Sequence, residues 1–73
     1  MAQSIKAPIT GTIWKVLVKS GDTISEGETL AILESMKMEI PIEAEDNIVI
    51  VEVRAMEGAL ITEGDVLFVI QAA

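Results

Sequence analysis

A displacement of 37 residues lays the chain over itself without a gap. Gly21–Leu33 (GDTISEGETLAIL) falls on Gly58–Ile70 (GALITEGDVLFVI). Gly21 then meets Gly58, Ile24 meets Ile61, Glu26 meets Glu63, Gly27 meets Gly64 and Leu30 meets Leu67. Ser25/Thr62, Glu28/Asp65, Ile32/Val69 and Leu33/Ile70 are near equivalents, and upstream Ile5/Ile42, Ala7/Ala44, Ile13/Ile50 and Val16/Val53 also coincide. Two copies are too few for a solenoid, which needs about three or more units to bury a continuous core. At 73 residues the chain has room for one domain, residues 1–73. The repeat therefore implies a closed pair of half-domains related by a pseudo-twofold axis.

Each half reads as β. TIWKVLV and IVIVEV are rich in β-branched residues, with Lys15 and Glu52 in register. TLAIL and VLFVI are short apolar runs bounded by turn residues, as buried strands are. Glycine punctuates both halves at the same places, in KSGD and MEGA and then in SEGE and TEGD. No window carries a sustained helical period. The expectation is an all-β domain, a sandwich or flattened barrel with short connections.

Lys37 sits at the numerical centre, in LESMKMEIPIE (Leu33–Glu43). A shift of 37 in either direction sends it just past an end of the chain. A pseudo-twofold thus exchanges the lysine segment with the termini, which normally lie at the surface. Lys37 is expected at the opposite pole, near the tip of a tight turn between two strands. Strand-like alternation predicts Met36 and Met38 on one side and Lys37 on the other. Pro41 in the outgoing segment suggests an edge strand. A hairpin tip is a poor place to bury two methionines, and semi-exposed thioethers suit a surface gripped by several partners.

The net charge is −7, which disfavours nucleic acid and anionic membranes. Residues 1–37 balance four basic residues against four acidic ones, whereas residues 38–73 set Arg54 against eight acids. Such a surface is solubilising, and an acidic face of it can also steer docking to a basic partner. The chain has no cysteine and no histidine, so it lacks a thiolate, a disulfide and the commonest general base. Asp22, Glu26, Glu28 and Glu34 lack calcium-loop spacing and read as turn residues rather than as a metal site. We expect no catalytic residues and no metal. The N-terminus has no apolar targeting core and no run is long enough to span a bilayer, so a soluble cytoplasmic protein is expected. Trp14 reads as packing rather than as a ligand contact.

ESMKMEI resembles the Ala-Met-Lys-Met signature of biotinyl domains, the biotin carboxyl carrier modules, with Ser35 in place of alanine. APITGTIWKVLVKSGDTISEGETLAILE looks like the family's first half, and the resemblance runs from Ile5 to Gln71. It implies a flattened barrel of two four-stranded antiparallel sheets, with the acceptor lysine on a hairpin of one sheet and both termini in the other. It further implies that Lys37 carries covalent biotin. Met36 and Met38 would present it to biotin protein ligase, Ser35 would be a small neighbour that lets the ligase approach, and Glu34 matches the acidic residue before the motif. The family's second half often opens with Ala-Pro-x-x-Gly; here Ala44 is kept, but Glu45 and Ile48 replace proline and glycine. Asn47, which tolerates left-handed backbone, is expected to take over that turn. No insert between Lys6 and Ile24 provides a "thumb", so a small, thumbless carrier is expected, of the free-standing type or a domain of a longer chain.

The resemblance also implies a function. A lysine in water has a pKa of about 10.4, and nothing here would activate it, so the ligase must supply the base for attack on biotinyl-AMP. The carrier, a monomer in isolation, would then shuttle carboxybiotin from biotin carboxylase to carboxyltransferase. It would be a substrate and carrier rather than an enzyme. A lipoyl domain, carrying lipoate on the same lysine, is the nearest alternative, but lipoyl domains typically show Asp-Lys-Ala at the tip. An unmodified structural adaptor would lack the motif and contain a long helical hairpin.

Overall fold

The computed structural model describes residues 2–73; Met1, where the sequence reading began its domain, lies outside them. Eight strands follow in chain order: β1 (Gln3–Lys6), β2 (Gly11–Val16), β3 (Thr23–Ile24), β4 (Thr29–Ser35), β5 (Met38–Glu43), β6 (Ile48–Val53), β7 (Leu60–Ile61) and β8 (Val66–Ala72). They form two four-stranded sheets, β1-β8-β6-β3 and β5-β4-β2-β7, in which every pairing is antiparallel. We call them the terminal sheet and the hairpin sheet. Among the described residues no ladder crosses from one to the other, so the arrangement is a sandwich. β2, β3 and β4 each map onto β6, β7 and β8 by the same 37-residue shift, and that shift exchanges the sheets.

The turns obey the repeat as closely. Gly21, Gly27, Gly58 and Gly64 all take φ between 87° and 93°, a region that glycine enters without steric cost. The Gly27 N–H donates to the Ala44 carbonyl and the Gly64 N–H to the Ala7 carbonyl. Asp22 accepts from the Lys19 N–H at 2.9 Å, and Glu28 and Asp65 accept from the Ser25 and Thr62 N–H groups at 3.3 and 2.8 Å. Asp22 and Glu28 are thus turn residues, as the sequence suggested, whereas Glu34 is an exposed residue of β4. Asn47 behaves differently from expectation. Its φ is not positive; instead its Oδ1 accepts from the Glu26 N–H at 2.9 Å, as Thr10 Oγ1 accepts from the Glu63 N–H at 3.0 Å in the other half. The departure from the glycine pattern is absorbed by a side-chain cap rather than by left-handed backbone.

The inward faces close one core. Ile13/Ile50, Ile24/Ile61, Leu30/Leu67, Leu33/Ile70 and Ala7/Ala44 are buried in equivalent pairs. Ala31 and Phe68 occupy equivalent positions, both fully buried, so a small and a large side chain complement each other across the axis. Trp14 is outside this core. β2 shifts register between Ile13 and Lys15, and β6 does so between Ile50 and Glu52. The extra residues of these bulges are Trp14 and Val51, equivalent by the repeat. A bulge turns two consecutive side chains to one side, so Trp14 and Lys15 both face outward. Trp14 is 45% exposed, with the Lys15 ammonium 5.6 Å from its ring centroid. The expectation that Trp14 is a packing residue is corrected, since its indole lies outside the core, half exposed.

Candidate functional site

β4 ends at Ser35 and β5 begins at Met38, and these two residues are paired. Met36 and Lys37 are therefore the two central residues of a two-residue hairpin loop. Their φ values are 53° and 65°. Positive φ at both central positions is the requirement of a type I′ turn, whose twist matches that of the flanking strands. Asn-Gly meets it with little strain, whereas other side chains incur about 1–2 kcal/mol each in left-handed backbone. Two non-glycine residues held there are a feature to be explained by function. The alternation expected across Met36, Lys37 and Met38 is overturned, because residues inside a turn do not follow the pleat. Met36 is 89% and Met38 60% exposed, and Lys37 between them is exposed as well.

The base of the hairpin is fastened to the loop between β1 and β2. The Ser35 hydroxyl donates to the Thr10 carbonyl at 3.0 Å. A Cβ at Gly11 would lie 2.5 Å from the Glu34 carbonyl oxygen and 3.2 Å from Ser35 Cβ, so a side chain there would push β2 away from β4 just below the tip. In the sequence Gly11 stands out only as the glycine of APITG that Ile48 replaces in the second half, and Thr10 not at all. The available signal was a lone glycine opening a β-branched run where the repeat partner is Ile48, since an isolated glycine in a strand often marks close backbone approach. Pro41 lies on β5, an edge strand as predicted, where its missing N–H breaks no ladder.

Glu34 and Glu39 face each other directly across β4 and β5 and are both exposed. Like charges in this relation destabilise a sheet. Among the described residues the ion pair is Arg54 with Glu52, both on β6 or just after it, so neither carboxylate beside the tip nor Lys37 itself is paired. Lys37 is thus exposed to solvent on a two-residue turn and, among the described residues, has no ion-pair partner. Among the described residues no three acidic or other metal-ligating side chains gather as a metal site.

The sequence model of the family described as "biotin-requiring enzyme" matches residues 3–70. The chain belongs to the biotin/lipoyl attachment family. Among curated relatives of this family, the biotin/lipoyl attachment protein of Bacillus subtilis (strain 168) is 50% identical over 64 residues, 88% of each chain. The biotinylated protein TB7.3 homolog of Mycobacterium leprae (strain TN) is 40% identical over 70 residues, 96% of this chain and 99% of that one. Among solved structures, a single-chain, multi-domain long-chain acyl-CoA carboxylase superposes with a TM-score of 0.92 at 29% identity, over 99% of this chain and 7% of that one. In this attachment domain the hairpin sheet carries Glu34, Ser35, Met36, Lys37 and Met38 together at one end. The chain ends run along β1 and β8 of the terminal sheet.

Proposed function

We propose that the chain is a biotin carboxyl carrier, acylated on Lys37 by a biotin protein ligase and serving a biotin carboxylase and a carboxyltransferase in turn. One observation carries the reading: an exposed, unpaired lysine held in left-handed backbone between two exposed methionines, in a chain of the biotin/lipoyl family. In the acylation the neutral Nζ attacks the activated carboxyl carbon of biotinyl-AMP. A C–N bond forms, the bond to AMP breaks, and the displaced proton passes to a ligase base. Glu34, Ser35, Met36 and Met38 form the surface the ligase reads. The methionines suit this role because flexible thioethers repack against different partners. When bound, biotin supplies a ureido ring that takes up and gives up a carboxyl group, and the chain's own residues hold that ring's tether on a stiff turn. Tethering raises the effective concentration at both active sites. The chain is then a carrier rather than an enzyme, a single monomeric domain working in the cytoplasm beside the carboxylase it serves.

Lipoate on Lys37 is the second reading, favoured by the name of the Bacillus subtilis relative; Met36 and Met38 in place of aspartate and alanine weigh against it. Intact mass after co-expression with a biotin protein ligase and excess biotin tests both. One biotinyl increment on the wild type and none on Lys37→Ala is the expected result. An unmodified wild type overturns the carrier reading, and a lipoyl increment moves the chain to the lipoate carriers.

A further inference from the structure

The repeat provides an internal control for the surface, because each outward position occurs twice on the same backbone. Trp14, Leu17 and Leu60 are exposed large apolar residues on or continuous with the hairpin sheet, at 45, 54 and 85%. Leu60 pairs with Thr12, which pairs with Glu34, which pairs with Glu39. Leu17 continues the β2–β4 ladder through its N–H to the Leu30 carbonyl. Their equivalents on the terminal sheet are Val51, Arg54 and Thr23. The fold is satisfied by these smaller or more polar residues, so its own packing does not require Trp14, Leu17 and Leu60 to be apolar. Grouped exposed apolar surface of this kind marks an interaction site.

Charge divides the same way. The outward face of the hairpin sheet carries Glu34, Glu39 and Glu43 against Lys15, a net −2 (one base minus three acids). The equivalent positions of the terminal sheet are Gln71, Ala2, Lys6 and Glu52, and Arg54 joins them opposite Leu17. That sums to +1 (two bases minus one acid). Self-association through the hairpin sheet would bring the glutamates of two copies together across an isologous contact, in a chain whose net charge is already −7. A basic partner is favoured instead.

We infer that the outward face of the hairpin sheet, centred on Trp14 and Leu60, is the docking surface for biotin protein ligase, through a ligase surface that is apolar at its centre and bordered by lysine and arginine. The inference rests on Lys37 being the acceptor. The lysine side chain is short and must come within about 3–3.5 Å of the activated carboxyl, so the ligase body has to lie against the sheet beside the tip. At about 3.3 Å per residue and 4.8 Å per strand, Leu60 lies about 10 Å and Trp14 about 11 Å from Ser35. A standard interface of about 800 Å² per partner has a radius of about 16 Å and takes in both. Lys15, now over the Trp14 ring, moves aside and leaves the indole to the partner.

The test is steady-state biotinylation by a purified biotin protein ligase of the wild type, Trp14→Ser, Leu60→Ser and the control Val51→Ser, with circular dichroism to confirm that each is folded. KM is expected to rise about tenfold for Trp14→Ser and Leu60→Ser with kcat retained, the size of one interface anchor, and to stay unchanged for Val51→Ser. Added salt should raise the wild-type KM. Equal KM values in all four proteins overturn the docking face while leaving the carrier reading intact; a wild type that takes no biotin overturns both. Amide shift mapping of the unsubstituted protein against the ligase gives a second readout that no folding defect can disturb. Shifts confined to Thr12–Leu17, Ile32–Pro41 and Leu60 support the proposal, and shifts centred on Val49–Arg54 overturn it.

Discussion

The two poles of the sandwich are built on the same backbone and finish it in opposite ways. At the terminal pole β8 runs out: Ala72 pairs with Ile48, a buried isoleucine, and the Ala73 N–H donates to the Asn47 carbonyl at 3.1 Å. At the hairpin pole the equivalent residues are Ser35, Gly11, Met36 and Thr10. There the chain turns back at Met36 in left-handed backbone, and the Ser35 hydroxyl takes the carbonyl of Thr10 in place of a backbone donor. The isoleucine becomes glycine so that β2 can close on β4 beneath the turn. One pole is finished by apolar burial, the other by close backbone approach and one side-chain hydrogen bond. The first contributes stability, while the second holds a lysine out in water at a fixed place.

The sharpest way to break this comparison is to alter the paired positions Ile48 and Gly11. Ile48→Ala empties a buried site and should cost about 2–5 kcal/mol. The loss should be global, seen as a lower denaturation midpoint by circular dichroism, with the hairpin unaffected until the domain unfolds. Gly11→Ala should cost about 1–3 kcal/mol, because the new Cβ meets the Glu34 backbone oxygen rather than a yielding side chain. Its amide shift changes should gather at Glu34–Met38. Equal costs and equally diffuse shifts would show that the poles are not specialised. The Trp14 emission is a weak reporter for either experiment, since the indole is already about half in water.

The repeat made most of this legible. The strand equivalences and the exchange of the lysine segment with the chain ends follow from the 37-residue shift, and the edge position of Pro41 from its missing N–H. What escaped were the places where a local rule is broken. Trp14 reads as a packing residue, but its indole lies outside the core; the bulge, which a β-branched run does not reveal, turns Lys15 to the same outward side. The turn geometry at Met36 and Lys37 escaped because neither residue signals left-handed backbone. Asn47 carried a turn signal, but its side chain was used as a cap. Gly11 was visible as a mismatch with Ile48, yet its meaning depends on how near the Glu34 carbonyl lies, which is a distance between strands rather than a pattern along one.

Ser35→Ala isolates the side-chain bond. The substitution restores the family's alanine and removes the hydroxyl that meets Thr10. The bond is exposed, so its loss should cost about 0.5–1.5 kcal/mol. Amide exchange should quicken at Met36–Met38 and stay unchanged at Gln71–Ala73. If exchange at the tip does not change, Gly11 alone sets the position of the hairpin and the serine is only a small neighbour of the lysine.

The smallest effect has the opposite sign. Met36 is the first central residue of the turn, with φ 53°, where asparagine is favoured because its short polar side chain is at ease in left-handed backbone. Met36→Asn should therefore stabilise the domain by about 0.5–1 kcal/mol, read as a raised denaturation midpoint. The same substitution removes an 89% exposed thioether beside Lys37, so biotinylation should slow while the fold tightens. Opposite movements of stability and acceptance would identify the methionine as retained for recognition at the expense of turn geometry. A stabilised variant that takes biotin as fast as the wild type would leave the strain at Met36 without a functional reason. The recognition surface would then reduce to Met38 and the residues that precede the turn.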